Sequence, residues 1–201
     1  MPLHRLCMTL FFCKFLITII CSDSADYEYE YYEGTSTQDE VNLDIMKFLN
    51  TTEKIWVFNS SEDTQLSCKV DVVDNVTNNS SYITRYYISN LTSYNDTFIV
   101  DLLEDTYTGH SGTPNEMKIR DGDNNTPFET MTYQSPDNNC AVFFMSFLSN
   151  VSELSWYELR MKNSSLATGP DPDCIQNYVE GLGSKGTTHF NYTSQCQCIF
   201  E

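Results

Sequence analysis

The sequence predicts an all-β domain closed into an eight-stranded antiparallel barrel, with a short helix before it and a second helix after it. Three observations carry that prediction. Between Lys54 and Lys162, short runs of apolar, aromatic and β-branched residues alternate with clusters of Asn, Asp, Ser, Gly and Pro, which is the rhythm of strands and turns. Eight such runs can be counted, at 55–58, 66–73, 82–89, 97–103, 115–120, 128–134, 140–148 and 155–162. An open antiparallel sheet of that size leaves two edges of unpaired backbone groups, and closure removes them.

The elements follow in chain order. Residues 1–24 read as a secretory signal: a basic start at Arg5, an apolar run from Leu6 to Ile20 broken only by Lys14, and small residues at Ser22 and Ser24. Cleavage is expected between Cys21 and Ala25. No later run reaches the ~20 apolar residues a membrane helix needs, so the mature chain is expected to be soluble. Residues 25–40 are acidic, Tyr-rich and poor in aliphatic side chains, too polar to offset the entropy of ordering, and read as a flexible tail. Ile45, Met46, Phe48 and Leu49 recur at helical spacing after Asp44, which predicts a short amphipathic helix that braces the main body. The eight strands follow, with turns expected at 75–81, 93–96, 109–114, 121–127, 135–139 and 149–153. Tyr82–Ile88 and Ala141–Leu148 are apolar on both faces, as strands are when one face lines an interior and the other packs under a helix. After Lys162 a loop leads to a helix around Cys174 to Leu182, stopped by Gly183. A last extended piece runs from Thr188 to Phe200. The domain is expected to span residues 41–201, with no internal repeat.

Charge and cysteine content narrow the function. Without residues 1–24 the chain keeps 27 acids against 9 bases, a net charge of −18, which makes nucleic acid and anionic membranes poor partners and basic proteins or cations good ones. Cys68, Cys140, Cys174, Cys196 and Cys198 lie at wide spacings that suit disulfides rather than a metal. Glycosylation acceptors occur at Asn50, Asn59, Asn75, Asn78, Asn79, Asn90, Asn95, Asn124, Asn150, Asn163 and Asn191. Together they predict a secreted, extracellular glycoprotein. Only His110 and His189 follow the signal segment, neither at a metal-ligand or triad spacing, and neither a Gly-x-Ser-x-Gly elbow nor a phosphate-binding glycine loop is present. A binding protein without catalysis, cofactor or metal is the expectation.

The C-terminal half carries a resemblance. Cys140-Ala141-Val142-Phe143, Trp156-Tyr157-Glu158-Leu159, Gly169-Pro170, Asp173-Cys174 and Tyr192 with Cys196 resemble, in order and spacing, the tick salivary lipocalins of the histamine-binding family. Asp44 through Phe58 and Cys68 fit the same pattern. The resemblance implies a lipocalin barrel that holds a ligand and sequesters a small host mediator, modulating host inflammation, defence or haemostasis. It also implies bridges Cys68–Cys196 and Cys140–Cys174, each contributing ~3–5 kcal/mol by restricting the unfolded chain. The residues by themselves leave fifteen arrangements of two bridges open, and Cys198 is either an alternative partner or an exposed thiol.

Amine-binding members of that family carry Cys-Asp-aliphatic, then Glu-Leu-Trp/Tyr, then Cys. Here the spacings fit, with fifteen residues between Val142 and Glu158 and thirteen between Arg160 and Cys174. Ala141 stands where the acid would be and Arg160 where the aromatic ring would be. The loop 59–67 lacks a Trp but offers Glu62 and Asp63. A small cation that leaves water needs a carboxylate and an aromatic face in exchange. Glu158 and Arg160 share one face of a strand and offset each other. Either the two form an internal ion pair with no ligand role, as buried charges usually do, or the replacements turn the pocket from histamine toward a lipid carboxylate such as a fatty acid or leukotriene. Arg160 would hold the acid, with Phe143, Met145, Tyr82, Tyr86 and Trp156 around the chain. The other reading is a protein-binding antagonist. In that reading the outer surface, or the Asp26–Glu33 stretch with sulfated tyrosines, captures a basic host protein.

Overall fold

The computed structural model describes residues 43–105, 112–122, 126–147 and 155–200. The signal segment 1–24, the tail 25–40, His110, Asn124 and Asn150 lie outside them.

Eight antiparallel strands close into a barrel: β1 (Ile55–Ser60), β2 (Leu66–Val76), β3 (Ser80–Ser89), β4 (Thr92–Leu103), β5 (Glu116–Ile119), β6 (Phe128–Gln134), β7 (Cys140–Ser146) and β8 (Trp156–Lys162). Each strand pairs with the next, and β1 joins the two ends. One edge of β1 pairs with β8, where Trp56 faces Met161. Its other edge pairs with β2, where Ile55 faces Asp71 and Trp56 faces Val70. Beyond that contact a two-residue strand, β9 (Phe190–Asn191), takes over the β1 edge.

The short helix α1 (Ile45–Leu49) forms where its spacing predicts. Asp44 caps it by accepting from the Lys47 amide at 3.0 Å. Its Ile45, Phe48 and Leu49 are buried against Ile55, Ile83, Met117, Met131 and Phe143, so α1 seals an apolar end of the barrel. The long helix α2 (Pro172–Leu182) starts at an Asp171 cap and stops at Gly183, whose φ of 62° favours glycine. Its Cys174 and Tyr178 pack on Val142, Leu159 and Met161, the outward faces of β7 and β8. The helix lies so near the strand that a Cβ on Gly181 would stand 2.6 Å from the Tyr157 ring.

Cys68 is bonded to Cys196 and Cys140 to Cys174. Cys68 sits at a β2 bulge with φ 53°. With Cys196, Trp56, Val70 and Ile199 it forms a separate core beneath the chain end. Cys198 is exposed and unbridged. The sequon residues Asn50, Asn75, Asn78, Asn79, Asn90, Asn95, Asn163 and Asn191 are exposed, and Asn59 is half-buried.

Two local expectations are corrected. The turn placed at 93–96 is strand: β4 begins at Thr92, and the hairpin turns at Asn90 and Leu91, both at positive φ. A two-residue turn of that hand matches the twist of the paired strands, and Asn tolerates it. The terminal segment expected to be extended is strand only at β9, and Ser194–Phe200 coils as a 3₁₀-helix around the bridged Cys196.

Candidate functional site

Strand β8 sorts its side chains by parity. Leu159 and Met161 face outward beneath α2, whereas Glu158 and Arg160 point inward and are 0 % and 1 % exposed. The neighbouring strands deliver four more charged groups to the same interior: Lys69 and Asp71 from β2, Arg85 from β3 and Glu129 from β6.

These six groups form one connected network. Arg85 grips Asp71 through Nε (2.6 Å) and Nη2 (2.9 Å), and Glu129 through Nη1 (2.8 Å) and Nη2 (3.1 Å). Arg160 is shared in the same way: Nη2 lies 2.6 Å from both Glu158 and Glu129, and Nε donates to Glu158 at 2.9 Å. Its guanidinium also covers the Phe143 ring at 4.4 Å and touches the Met145 sulfur at 3.9 Å. The Lys69 ammonium lies 2.6 Å from Glu158 and 2.9 Å from Glu62, with the Trp156 ring centroid at 5.9 Å. Trp156 Nε1 donates to Glu158 at 3.2 Å.

Buried ions of this kind persist only when each is paired and hydrogen-bonded. Among the described residues no buried side-chain polar atom lacks a partner. The titration behaviour follows from the pairing. Burial alone would raise the Glu129 carboxyl, but Arg160 and Arg85 pull it down to about 2. Burial would likewise raise Glu158, yet Lys69 and Arg160 drive it far below the usual carboxylate range. Lys69 would be lowered by burial, and Glu158 with Glu62 reverse that and raise it. The pairing holds Glu129 and Glu158 as carboxylates and Lys69 as an ammonium at neutral pH, in a layer that sets three basic side chains against three acidic ones.

The network has a closed side and an open side. Arg85 bridges carboxylates from two strands, and Arg160, whose Nη1 lies 3.7 Å from Asp71, from three. Lys69 instead reaches toward the loop 61–65, where the Glu62 side chain is 21 % exposed. A small depression under that loop, with room for about one water molecule, is lined by Val57, Ser60, Glu62, Leu66, Lys69 and Phe190.

Of the residues singled out from sequence, Glu158, Arg160, Trp156, Phe143 and Met145 come together at this interior. Tyr82 and Tyr86 do not. Tyr82 is 42 % exposed, and Tyr86 packs outside with Trp56, Val70 and Cys196. Both have the parity opposite to Ile83 and Arg85, so a strand that points Ile83 and Arg85 inward turns Tyr82 and Tyr86 outward. The expected role of Arg160 as an open clamp is also not met, because its guanidinium is already held by Glu158 and Glu129. Lys69, Asp71, Arg85 and Glu129 were not singled out. Their signal is a charge set between apolar or β-branched neighbours inside a strand, as in Val70-Asp71-Val72 and Phe128-Glu129-Thr130-Met131. Among the described residues no cluster of metal-ligating side chains occurs, and no helix is long and apolar enough to cross a membrane.

No family model and no curated protein matches the sequence. Solved structures do. The protein AM182, crystallised as a serotonin complex, superposes with a TM-score of 0.58 at 14 % identity, covering 84 % of this chain and 97 % of that one. The siderocalin Ex-FABP, described as having dual ligand specificities, aligns with a TM-score of 0.49 at 9 % identity over 72 % of this chain and 89 % of its own. The fold of this chain is that of a lipocalin.

Proposed function

We propose that the protein is a secreted lipocalin that sequesters a small cationic mediator, an amine of the histamine or serotonin class, and so modulates host defence. The observation that carries this reading is the setting of the Lys69 ammonium. Two carboxylates, Glu158 and Glu62, and the face of Trp156 surround it, and such a set replaces the water an alkylammonium loses on entering a protein. Glu62 adds a fourth carboxylate to the three cations and three carboxylates of the interior, so the open side carries an excess of negative charge. Of the amine pattern of the tick salivary histamine-binding lipocalins the chain keeps Glu158 but carries Ala141 and Arg160 in place of the acid and the ring, so the reading rests on the Lys69 setting, and secretion through a leader at residues 1–24 is part of the proposal. The exposed sequons supply sites for the glycans of such a protein.

A fatty acid or leukotriene fits this interior less well. Its carboxylate needs a cation, and each arginine is already bound to two or three acids, so a lipid acid would have to displace one carboxylate and approach the rest. Calorimetric titration of the secreted protein with histamine, serotonin, a leukotriene and a long-chain fatty acid tests the reading. One equivalent of amine bound at neutral pH, with no heat from the lipid acids, is expected. Tighter binding of a lipid acid than of either amine would overturn it, and binding of none would move the function to the outer surface.

A further inference from the structure

We infer that Lys69 is a built-in competitor for the amine ligand: its ammonium occupies the position that Glu158, Glu62 and Trp156 form, and it sets which amines enter and how tightly. The inference rests on the amine-carrier reading and deepens it, because it names the residue that controls occupancy of that site.

An alkylammonium offers three N–H donors in a tetrahedral arrangement and no acceptor. Lys69 spends its donors on one oxygen of Glu158 at 2.6 Å and one of Glu62 at 2.9 Å, beside the indole ring. A primary amine on a small molecule would ask for the same oxygens and the same ring. The two arginines are not equivalent competitors. Their planar forks tie β3 to β2 and β6, and β8 to β6, and their partners Asp71, Glu129 and Glu158 are almost wholly buried. Lys69 is a point charge on a flexible stem, one of its two partners stands on the loop 61–65 with its side chain 21 % exposed, and Lys69 itself lines the small depression under that loop.

The charge count makes the exchange feasible. Asp71, Glu129, Glu158 and Glu62 against Arg85 and Arg160 leave two negative charges, and Lys69 neutralises one of them. If the lysine swings its head outward past Glu62, an incoming monocation restores the same balance inside the barrel. A tethered group competes at an effective concentration on the order of millimolar, so removing it tightens binding of a free amine by the ratio of that concentration to its own dissociation constant. Tenfold is the least change expected for a head so well bonded.

The test compares the full-length secreted protein with Lys69→Met by histamine titration at pH 7. The variant keeps the apolar stem and deletes the charge. Binding at least tenfold tighter in Lys69→Met than in the unsubstituted protein supports the inference. If the unsubstituted protein binds histamine and Lys69→Met binds it equally or more weakly, the inference is overturned while the carrier reading stands. Histamine bound by Lys69→Met alone overturns the amine-carrier reading, and with it the inference that Lys69 tunes a native amine ligand. Binding by neither protein overturns both. Should Lys69→Met fold poorly, Lys69→Ala gives an independent readout through chemical rescue with n-propylammonium. Its melting temperature should rise in propylammonium chloride over sodium chloride at equal ionic strength, with no such rise for the unsubstituted protein. A variant indifferent to the added amine contradicts the assignment.

Discussion

Lys69 and Lys162 both leave barrel strands for buried settings, and their surroundings treat the same charge in opposite ways. Lys69 meets Glu158 and Glu62 at hydrogen-bond distance, and those acids outweigh its burial, so its pKa lies above the ordinary lysine value. Lys162 stands at the end sealed by α1, its ammonium 5.6 Å from the Phe48 ring. Burial there lowers its pKa, and the more distant Glu53 and Asp137 offset only part of the effect. One end of the barrel is thus a hydrocarbon core of Ile45, Phe48, Ile83, Met117 and Met131 that tolerates a cation. The layer beyond it is an ionic lattice that requires one. The difference teaches where a ligand has something to exchange with: displacing Lys69 returns carboxylates to a newcomer, whereas displacing Lys162 would open only an aromatic face.

The sharpest way to break this contrast is to delete a shared cation from the lattice. Arg160→Met leaves Glu158 with Lys69 and Glu129 with Arg85, each short of one partner in a dry setting. The expected loss is about 3–5 kcal/mol in urea unfolding, and a loss under about 1 kcal/mol would show that the lattice is not tightly coupled.

Acid tests the same layer without mutation. Glu129 has a folded pKa of about 2 against an ordinary 4.5. Its stabilisation is therefore complete above the unfolded value and disappears as pH falls through the folded one. Stability should drop by roughly 3 kcal/mol between pH 4.5 and pH 2 from this group, with Glu158, also depressed, adding to the fall. Flat stability across that window, followed by far- and near-ultraviolet circular dichroism, would contradict the pairing.

The smallest effect belongs to the apolar end. Lys162→Met should leave stability within about 1 kcal/mol of the starting protein, or raise it, because a buried cation is exchanged for a side chain that suits Phe48. The pH dependence separates the two lysines as well. The penalty on Lys162 is present at neutral pH and is relieved as pH rises through its lowered pKa. The gain from Lys69 is present below the ordinary lysine value of 10.5 and is lost only as pH climbs through its raised one. A Lys162→Met variant destabilised as much as Arg160→Met would erase the distinction between the two regions.

The barrel was legible in the sequence to a degree its interior was not. Strands announce themselves by local composition and by the turns that bound them. All eight lie where short apolar runs place them, and the hairpin error at 93–96 arose because the Asn-Leu pair that makes the real turn lacks the usual Gly. The bridges were legible only through a family resemblance, since spacing alone leaves several pairings open. The interior was harder because it depends on parity and on closure together. Glu158 and Arg160 could be placed on one face from their spacing. Their neutralisation by Glu129, Arg85, Asp71 and Lys69 joins strands far apart in the chain, and no local pattern pairs residue 69 with residue 158. Reading Tyr82 and Tyr86 as lining failed for a related reason: aromatic content says that a face is buried, not which side of the wall it is on.

The most direct check of the account is the side-chain ammonium signal of Lys69 in a nitrogen-15 correlation spectrum at neutral pH, recorded while histamine is added. The signal should be visible at first because Glu158 and Glu62 shield its protons from exchange, then move to the shift and rapid exchange of a solvated lysine as histamine binds. A Lys69 signal that stays in place while histamine saturates the protein would contradict it.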